Sequence, residues 1–286
     1  MQITVVGAAN IDIITKSREK IVPGDSNPSE VKLAAGGVGR NIASVLAKKG
    51  VDVKLITAVG SDPLGALLKE SCDELGIDTE PWIIKDNIST GVYLATLEND
   101  GELYAAFNAM NVPESITRSE ITKHKAYIKD ADLLVLDLNL TEKILEHCLE
   151  LRGDAPVMVD VVSAQKVNRI ANMLDRVDIL KLNRIEAEKL TGITLDTKER
   201  VKQACYLLVN KGVKRVFITM GMAGACACEG QNAIFVPALP VAIKDVTGAG
   251  DAFAAGIALN MGKALRAQAQ HGINFATEHL KQMVEA

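Results

Sequence analysis

The stretch Asp245-Val246-Thr247-Gly248-Ala249-Gly250-Asp251 runs directly into the apolar segment 252–259. The apolar segment is typical of a buried helix, so the small residues before it are predicted to form a turn that opens that helix. Free backbone N–H groups at a helix start attract negative charge, and the carboxylate of Asp251 can accept a proton from a hydroxyl. The pattern indicates phosphate transfer, although a glycine turn with an aspartate N-cap has the same sequence.

Outward from this turn, short apolar runs alternate with helical periods along most of the chain. This alternation predicts parallel strands joined by helices. The core is expected to be aliphatic, because 48% of the residues are hydrophobic and only 3% are aromatic. We therefore expect an α/β fold with a doubly wound, mostly parallel sheet flanked by helices, in one domain over residues 1–286. The predicted strands are 3–6, 53–59, 133–136, 157–159, 179–182 and 216–219, and the predicted helices are 39–49, 63–75, 141–151, 184–191 and 198–211.

Two segments break this alternation and are predicted to form a small β-sheet lid. Residues 12–35 are polar and rich in turn residues, and residues 88–110 alternate like a β-hairpin around Asn99-Asp100-Gly101. Such a projecting sheet has exposed edges and an apolar face that must be covered. We therefore expect a homodimer in which the lids pack together.

Composition excludes several other functions. The formal net charge of −4 provides no general attraction to nucleic acid. No apolar run approaches the ~20 residues of a membrane-spanning helix, and the start of the chain does not resemble a signal peptide, so a cytoplasmic protein is expected. The 5 cysteines are odd in number and contain no CxxC pair, which predicts reduced thiols rather than disulfides or zinc.

Two further glycine or polar turns near the N-terminus carry candidate ligands for an alcohol. Asn10 and Asp12 follow the first predicted strand, where open α/β sheets bind ligands, and the carboxylate can take hydrogen bonds from vicinal hydroxyls. Gly36-Gly37-Val38-Gly39-Arg40-Asn41 enters the next helix and places an amide on its first turn. The alternative for Asn10 to Asp12 is an ordinary turn.

The second half of the chain has two similar strand ends. Asn183 and Glu186 are three residues apart at the start of a helix, a spacing that suits nucleotide phosphate and water-mediated Mg²⁺ contacts but equally fits a capping box. Thr219, Gly221 and Gly224 end another strand in a turn that a flat adenine or ribose can approach, or that is simply a β-turn. All these sites lie at carboxyl ends of strands in one sheet and can converge on one cleft.

Known phosphate and dinucleotide loops are absent from the sequence. The P-loop pattern G-x-x-x-x-G-K-[ST] does not occur, so a phosphate-transferring protein of this sequence has no Walker A site. The G-x-G-x-x-G fingerprint is also missing from the glycine turn at 36–41, which argues against an oxidoreductase.

These residues resemble the ribokinase-like carbohydrate kinases, or PfkB family, over nearly the whole chain. The resemblance rests on D-x-T-G-A-G-D at 245–251, G-G-x-G-x-N at 36–41 and N-x-x-E at 183–186. It implies an ATP- and Mg²⁺-dependent kinase that also uses a monovalent cation, expected to be K⁺. By this resemblance Asp251 is the base, and the anion hole is formed by Gly248, Ala249 and Gly250. The sugar hydroxyls are bound by Asp12, Gly37 and Asn41, and ATP is bound by Asn183, Thr219, Gly221 and Gly224. Glu186 assists Mg²⁺, and the monovalent cation is bound by main-chain oxygens around Asp245 and Thr247.

Within the family, segments 25–28, 108–111 and 160–166 resemble the nucleoside-directed branch. Many sugar kinases of the family carry lysine where this chain has Val38, and that substitution fits the same branch. We expect transfer of the γ-phosphate of ATP to the 5′-hydroxyl of a nucleoside. The alternatives are a kinase of another nucleoside or sugar, such as ribose or fructose, and a catalytically silent nucleoside sensor. Polar groups that read the base are expected among Ser26, Asn27, Asn108, Asn111 and Lys166, each of which can also be a simple loop hydrogen bond.

Overall fold

The computed structural model describes residues 1–242 and 246–285. Its strands, in chain order, are β1 Gln2–Val6, β2 Asn10–Ser17, β3 Ser29–Gly36, β4 Asp52–Ile56, β5 Ala58–Gly60, β6 Ile83–Lys85, β7 Gly91–Leu97, β8 Leu103–Ala109, β9 Leu133–Asp137, β10 Val157–Asp160, β11 Ile179–Asn183, β12 Arg215–Thr219, β13 Ala225–Glu229 and β14 Asn232–Val236. Its α-helices are α1 Val38–Lys48, α2 Pro63–Asp73, α3 Asn111–Glu114, α4 Arg118–Lys123, α5 Lys125–Lys129, α6 Glu142–Leu151, α7 Arg184–Thr191, α8 Lys198–Asn210, α9 Ala249–Leu259 and α10 Leu265–Glu285.

An eight-stranded sheet with the order β14-β13-β12-β11-β10-β9-β1-β4 forms the centre of the fold. From β4 to β12 all neighbouring strands are parallel, and β13 and β14 extend the sheet antiparallel. Because the strands are parallel, their carboxyl ends lie at one edge of the sheet, where polar turns can meet. The predicted α/β class with a mostly parallel sheet is therefore confirmed.

Helices cover both faces of this sheet, as a doubly wound fold requires. Successive strand residues point to opposite faces, so Val5 packs in one apolar core and Val6 in the other. The core around Val5 takes residues from α1, α2, α9 and α10, and the core around Val6 takes residues from α4 to α8. The strands are buried on both faces, which explains their continuous apolar sequences.

The five predicted helices are present within two residues of the expected bounds, but one predicted strand is wrong. The apolar run 53–59 predicts a single strand, whereas β4 ends at Ile56 and β5 pairs with β6 in a separate two-stranded sheet. At the break, the carbonyl of Thr57 accepts a hydrogen bond from Ile83 N at 2.8 Å. The chain leaves the large sheet here because its backbone groups pair with another segment, which the apolar pattern does not reveal.

A separate four-stranded sheet has the order β3-β2-β7-β8 and stands beside the carboxyl edge of the large sheet. The hairpin predicted around Asn99-Asp100-Gly101 joins β7 and β8. Asn10 and Asp12 do not lie in a turn, because β2 begins at Asn10. No helix in the described part of the chain is long and apolar enough to cross a membrane.

Candidate active site

The turn that opens α9 brings a glycine and a carboxylate to the start of a buried helix. Gly248 is the N-cap with φ +76°, a conformation that glycine adopts without strain, and α9 begins at Ala249. Asp251 lies in the first turn, where the amides have no partners within the helix. The positive end of the helix dipole and a carboxylate are therefore side by side.

Asn41, on the first turn of α1, holds the carboxylate of Asp251. Its side-chain amide donates a hydrogen bond of 2.8 Å to Oδ2 of Asp251. Burial raises the pKa of Asp251 to about 7, with the negative charge of Asp160 acting in the same direction, while Lys181 and Asn41 oppose the shift. A carboxyl group with this pKa exchanges a proton near neutral pH, which is what a general base requires.

A buried ion pair lies beneath the first turn of α9. Lys181 Nζ is 2.9 Å from Oδ2 of Asp160, and the two residues are 5% and 1% exposed. Burial alone lowers the pKa of Lys181, but the neighbouring Asp160, Glu186 and Asp251 raise it above its ordinary value. A Cβ built on Gly250 would stand 3.1 Å from Lys181 Nζ, so a fixed positive charge lies directly under the turn.

Sequence reasoning assigned no role to this pair. Asp160 and Lys181 are direct partners on the neighbouring parallel strands β10 and β11. The available signal was an aspartate and a lysine within otherwise apolar strands, because buried charges are rare unless they are paired.

Asp137 is a second fully buried carboxylate that the sequence did not single out. Its Oδ2 accepts hydrogen bonds of 2.8 Å from the backbone N–H groups of Ala8 and Gly39, and Oδ1 accepts one from Asn139 N. Burial raises its pKa, and these bonds oppose the shift. Asp137 thus joins the end of β9 to the segment after β1 and to the start of α1, which carries Asn41.

A cavity of about 630 Å³ opens between the large sheet and the small one. Among the residues singled out from the sequence, it is lined by Asn10, Asp12, Gly37, Asn41, Asn108, Lys166, Thr247, Gly248 and Asp251. Sequence reasoning missed Tyr93, Met110, Asn139 and Gln165, which also line it. The tertiary structure therefore brings the polar residues near the N-terminus and the candidate base Asp251 to one space.

The small sheet presents a polar row to this cavity. In register, Asp12 pairs with Tyr93, and Tyr93 pairs with Asn108, so the three side chains share one face. Asn10 Nδ2 donates a 2.6 Å hydrogen bond to Oδ1 of Asp12. Burial raises the pKa of Asp12, while Asn10 and Arg40 oppose the shift. Gly36, the register partner of Asn10 on β3, has no room for a side chain, because a Cβ there would collide with the carboxylate of Asp12.

Lys166 reaches the same cavity from the loop after β10. Its ammonium group donates to the side-chain oxygen of Asn139. Burial lowers the pKa of Lys166, with Asp137 opposing the shift. The preceding Val162 has φ +68°, which is rare for a β-branched residue and marks a strained turn at the edge of the cavity.

A second, more apolar cavity of about 580 Å³ lies on the other side of the α9 turn. Thr219, Gly221, Gly224, Ala249 and Gly250, all singled out from the sequence, line it. The helix α10 adds Ile273, Ala276, Thr277 and Leu280, which the sequence did not reveal because a helix face becomes a pocket wall only through packing. Gly248 and Asp251 line the first cavity, and Ala249 and Gly250 line the second, so the two cavities meet at this turn.

Asn183 and Glu186 form the capping box that was the alternative interpretation of their spacing. Asn183 N and Nδ2 donate to the two carboxylate oxygens of Glu186 at 2.7 and 2.6 Å, and Glu186 N donates to Asn183 Oδ1 at 2.9 Å. Glu186 is 1% exposed, and burial raises its pKa, with Lys181 opposing. Asn183 also pairs in register with Thr219, which places the box beside the second cavity.

The described residues around the second cavity do not form a complete Mg²⁺ site by themselves, so a bound nucleotide would have to supply the other ligands. Among residues 1–242 and 246–285, no three His, Cys, Asp or Glu side chains converge as metal ligands. Mg²⁺ is commonly held by one or two carboxylates together with substrate phosphates and water. Glu186 is a carboxylate close to the second cavity, but both of its oxygens accept hydrogen bonds in the capping box and its side chain does not line either cavity.

Three of the expected base-reading residues do not reach the cavities. Ser26 and Asn27 lie in the loop between β2 and β3, and the Asn27 side chain bonds to Val22 and to the Asp25 carbonyl. Asn111 is exposed at the start of α3. Asn27 therefore shows the loop hydrogen bonds that were the alternative interpretation.

Asp245, expected near the monovalent cation, lies outside the described residues.

The chain belongs to the pfkB family of carbohydrate kinases, whose profile matches residues 1–280. A pseudouridine kinase from Escherichia coli (strain K12) is 36% identical over 258 residues, which cover 90% of this chain and 82% of that protein. A deoxyribokinase from Salmonella typhi is 28% identical over 88% of this chain and 83% of its own length. The solved Arabidopsis thaliana ribokinase, in complex with ribose and ATP, has a TM-score of 0.88 and 25% identity over 98% of this chain and 92% of that one.

Proposed function

We propose that this protein transfers the γ-phosphate of ATP to the 5′-hydroxyl of pseudouridine, giving pseudouridine 5′-phosphate and ADP. The observation that carries the proposal is the position of Asp251. It is a buried carboxyl group with a pKa of about 7, at the start of a helix and at the junction of two cavities. One cavity carries polar side chains that suit an alcohol, and the other is more apolar and suits an adenine.

In the proposed reaction, Asp251 removes the proton of the 5′-hydroxyl as its oxygen attacks the γ-phosphorus. The new P–O bond forms while the bond to the β-phosphate oxygen breaks, and ADP leaves with that electron pair. Asn41 keeps the carboxylate oriented towards the acceptor. General base catalysis of this kind contributes ~10² to 10⁴ in rate.

The backbone N–H groups of Gly248, Ala249 and Gly250 are proposed to stabilise the charge on the transferring group. The Ala249 N–H donates to the Val246 carbonyl at 3.2 Å, so it serves the anion hole only when it leaves that bond. The Gly248 and Gly250 donors at the helix start are fixed before the reaction, so they cost no reorganisation when charge develops. Lys181 adds a buried positive charge beneath Gly250. Glu186 is the residue proposed to hold a magnesium ion through water, and such an ion, bound with the nucleotide, would neutralise phosphate charge.

The nucleotide is proposed to bind in the cavity of about 580 Å³ with its adenine among Thr219, Gly221, Gly224 and the α10 side chains. Its apolar walls suit a flat aromatic ring. Asn183 lies next to Thr219 and is proposed to meet the phosphates. The ATP in the similar Arabidopsis ribokinase structure supports this choice of phosphate donor.

The acceptor is proposed to bind below the small sheet. Asp12, Asn10 and Gly37 face the cavity and suit vicinal ribose hydroxyls. Asn108, Tyr93, Gln165 and Lys166 supply donors and acceptors around the space left for a base. Pseudouridine is preferred because segments 25–28, 108–111 and 160–166 resemble pseudouridine kinases, one of which is 36% identical to this chain.

One assay separates the candidate substrates. ADP formation from ATP and Mg²⁺ is measured with pseudouridine, uridine, ribose and fructose at equal concentration. The proposal expects kcat/KM for pseudouridine to exceed that for each of the others by at least tenfold. A higher value for uridine, ribose or fructose would assign the chain to another acceptor, and thermal stabilisation by pseudouridine without ADP formation would assign it to the silent sensor.

The small sheet is proposed to act as a lid and as a dimer interface. Its other face carries an apolar row in which Leu33 pairs with Ile13, Ile13 with Leu94 and Leu94 with Phe107. Leu33 is 50% exposed and Phe107 is 62% exposed. An exposed apolar sheet face of this kind is a typical protein contact surface, and a second copy offers a matching face.

A further inference from the structure

The turn that opens α9 is tied to the C-terminal helix through one histidine. His279, on α10, has its Nε2 atom 2.9 Å from the backbone carbonyl oxygen of Thr247. A carbonyl oxygen only accepts hydrogen bonds, so His279 must carry a proton on Nε2. This contact joins α10 to the residue that immediately precedes the N-cap Gly248.

The imidazole ring covers the side of the turn that faces α10. A Cβ built on Gly248 would stand 2.7 Å from Nε2 and 3.1 Å from Cε1 of His279. The ring edge is therefore packed against the backbone of Gly248 as well as bonded to Thr247. Any side chain at position 248 would push the ring away, which adds a packing reason to the conformational one for glycine there.

On the side of the turn that faces α10, this arrangement leaves no room at the Thr247 oxygen for the monovalent cation that the family resemblance implies. A cation bound to the Thr247 oxygen from the α10 side would overlap the His279 ring, and a protonated nitrogen beside it would repel the ion. The Nε2–H group of His279 already places a partial positive charge next to the Thr247 carbonyl oxygen.

We propose that His279 takes the place of a monovalent cation in this chain: its Nε2–H group binds the Thr247 carbonyl and so positions the turn whose amides form the anion hole. His279 is a positioning residue, since it contacts the turn and not the substrates. The expected effect of His279 on turnover rests on the proposed kinase function. The expected lack of K⁺ binding rests only on the contact between His279 and Thr247.

The first test measures cation dependence in the wild-type protein. Thermal unfolding and ADP affinity are measured in KCl and in tetramethylammonium chloride at the same ionic strength. The proposal expects Kd for ADP to differ by less than twofold and the melting temperature to be unchanged. A saturable increase in melting temperature with K⁺, or an ADP affinity at least tenfold higher in K⁺, would overturn it.

The second test observes His279 directly. In ¹⁵N-labelled protein, the Nε2 of His279 is expected to be protonated, and K⁺ is expected to leave its resonance in place. A Nδ1–H tautomer, or a resonance that moves with K⁺ to saturation, contradicts the proposal. Neither test requires an acceptor, so failure of the proposed kinase activity would be seen separately, as absence of ADP formation with every acceptor.

The third test uses variants. His279→Ala is expected to lower kcat about tenfold with KM for ATP changed less than twofold, because the turn is displaced while the nucleotide cavity remains. His279→Gln, which keeps a side-chain N–H donor, is expected to restore part of the lost turnover. Gln282→Ala is the matched control, three residues along α10 and exposed. Equal turnover in His279→Ala and this control would overturn the positioning role. If His279→Ala does not fold, turnover of His279→Gln is compared with that of Gln282→Ala, and equal values would again overturn the positioning role.

Discussion

Asn41 and Asp251 are 210 residues apart in sequence, and the Asn41 side-chain amide donates a 2.8 Å hydrogen bond to the Asp251 carboxylate. The first residue stands at the start of α1 and the second at the start of α9. Two helix starts therefore share one polar contact at the edge of the large sheet. The contact orients the proposed base and stabilises its charged form, against the effect of burial.

Asp251→Asn tests the proposed base. We expect kcat to fall by about 10² to 10⁴, because the amide cannot take the hydroxyl proton, while the affinities for ADP and the nucleoside change little. Steady-state kinetics and calorimetric titration measure the two effects. Asn41→Ala is expected to cost less, about tenfold in kcat, since the carboxylate remains but is less well oriented. Turnover of Asp251→Asn close to that of the wild type would exclude this residue as the base.

The pH profile tests the charges around Asp251. We expect kcat/KM to rise with pH through about 7, because the carboxyl group must lose its proton to act as a base. Asp160→Asn should move the midpoint to lower pH, since it removes a negative neighbour. Lys181→Met should move it to higher pH, since it removes a positive one. Circular dichroism checks folding, because either change breaks a buried ion pair.

The two midpoints must move in opposite directions for this explanation to hold. A purely structural role of the pair would lower activity in both variants and leave the midpoint where it is in the wild type. The comparison therefore separates an electrostatic effect on Asp251 from general damage to the site.

Stability should depend on pH through the same carboxyl group. Its pKa of about 7 in the folded protein is above the ordinary value of 3.8, so the folded state binds the proton more tightly than the unfolded state. This group therefore lowers the free energy of unfolding as pH rises from about 4 to 7, by up to about 4 kcal/mol. Asp251→Asn should be more stable than the wild type at pH 8 and similar at pH 4, as measured by urea unfolding. Equal stability at both pH values would contradict the raised pKa.

Phe107→Glu tests the proposed dimer. Phe107 lies in the apolar row of the small sheet, and a charge there should separate the subunits because it would be buried without a partner. Sedimentation at micromolar concentration is expected to show a dimer for the wild type and a monomer for the variant. Ile185→Glu is the matched control, since Ile185 is 67% exposed on α7 and outside the small sheet. A monomeric wild type would refute the interface.

The layered fold could be predicted because its signals are local. The apolar runs at β1, β9, β10, β11 and β12 and the periods of α6, α7 and α8 are each contained in about ten residues. The break between β4 and β5 could not be predicted, because it depends on pairing with β6, about 25 residues later. Local pattern carries no information on which distant segment will supply a hydrogen-bond partner.

The candidate site shows the same division. The sequence alone determined the small turn before α9, the helix that follows it, and the positions of Asp251 and Asn41 at the starts of two helices, because these depend on residue type and nearest neighbours. The place of Asp12 within β2 depended on pairing with β3 and β7. Only the tertiary structure decided that Asp160 and Lys181 form a buried ion pair beneath that turn, that α10 lines the second cavity, and that His279 bonds to Thr247. These contacts join segments far apart in the chain, and their strength depends on burial, which is a property of the packed molecule and not of any local stretch.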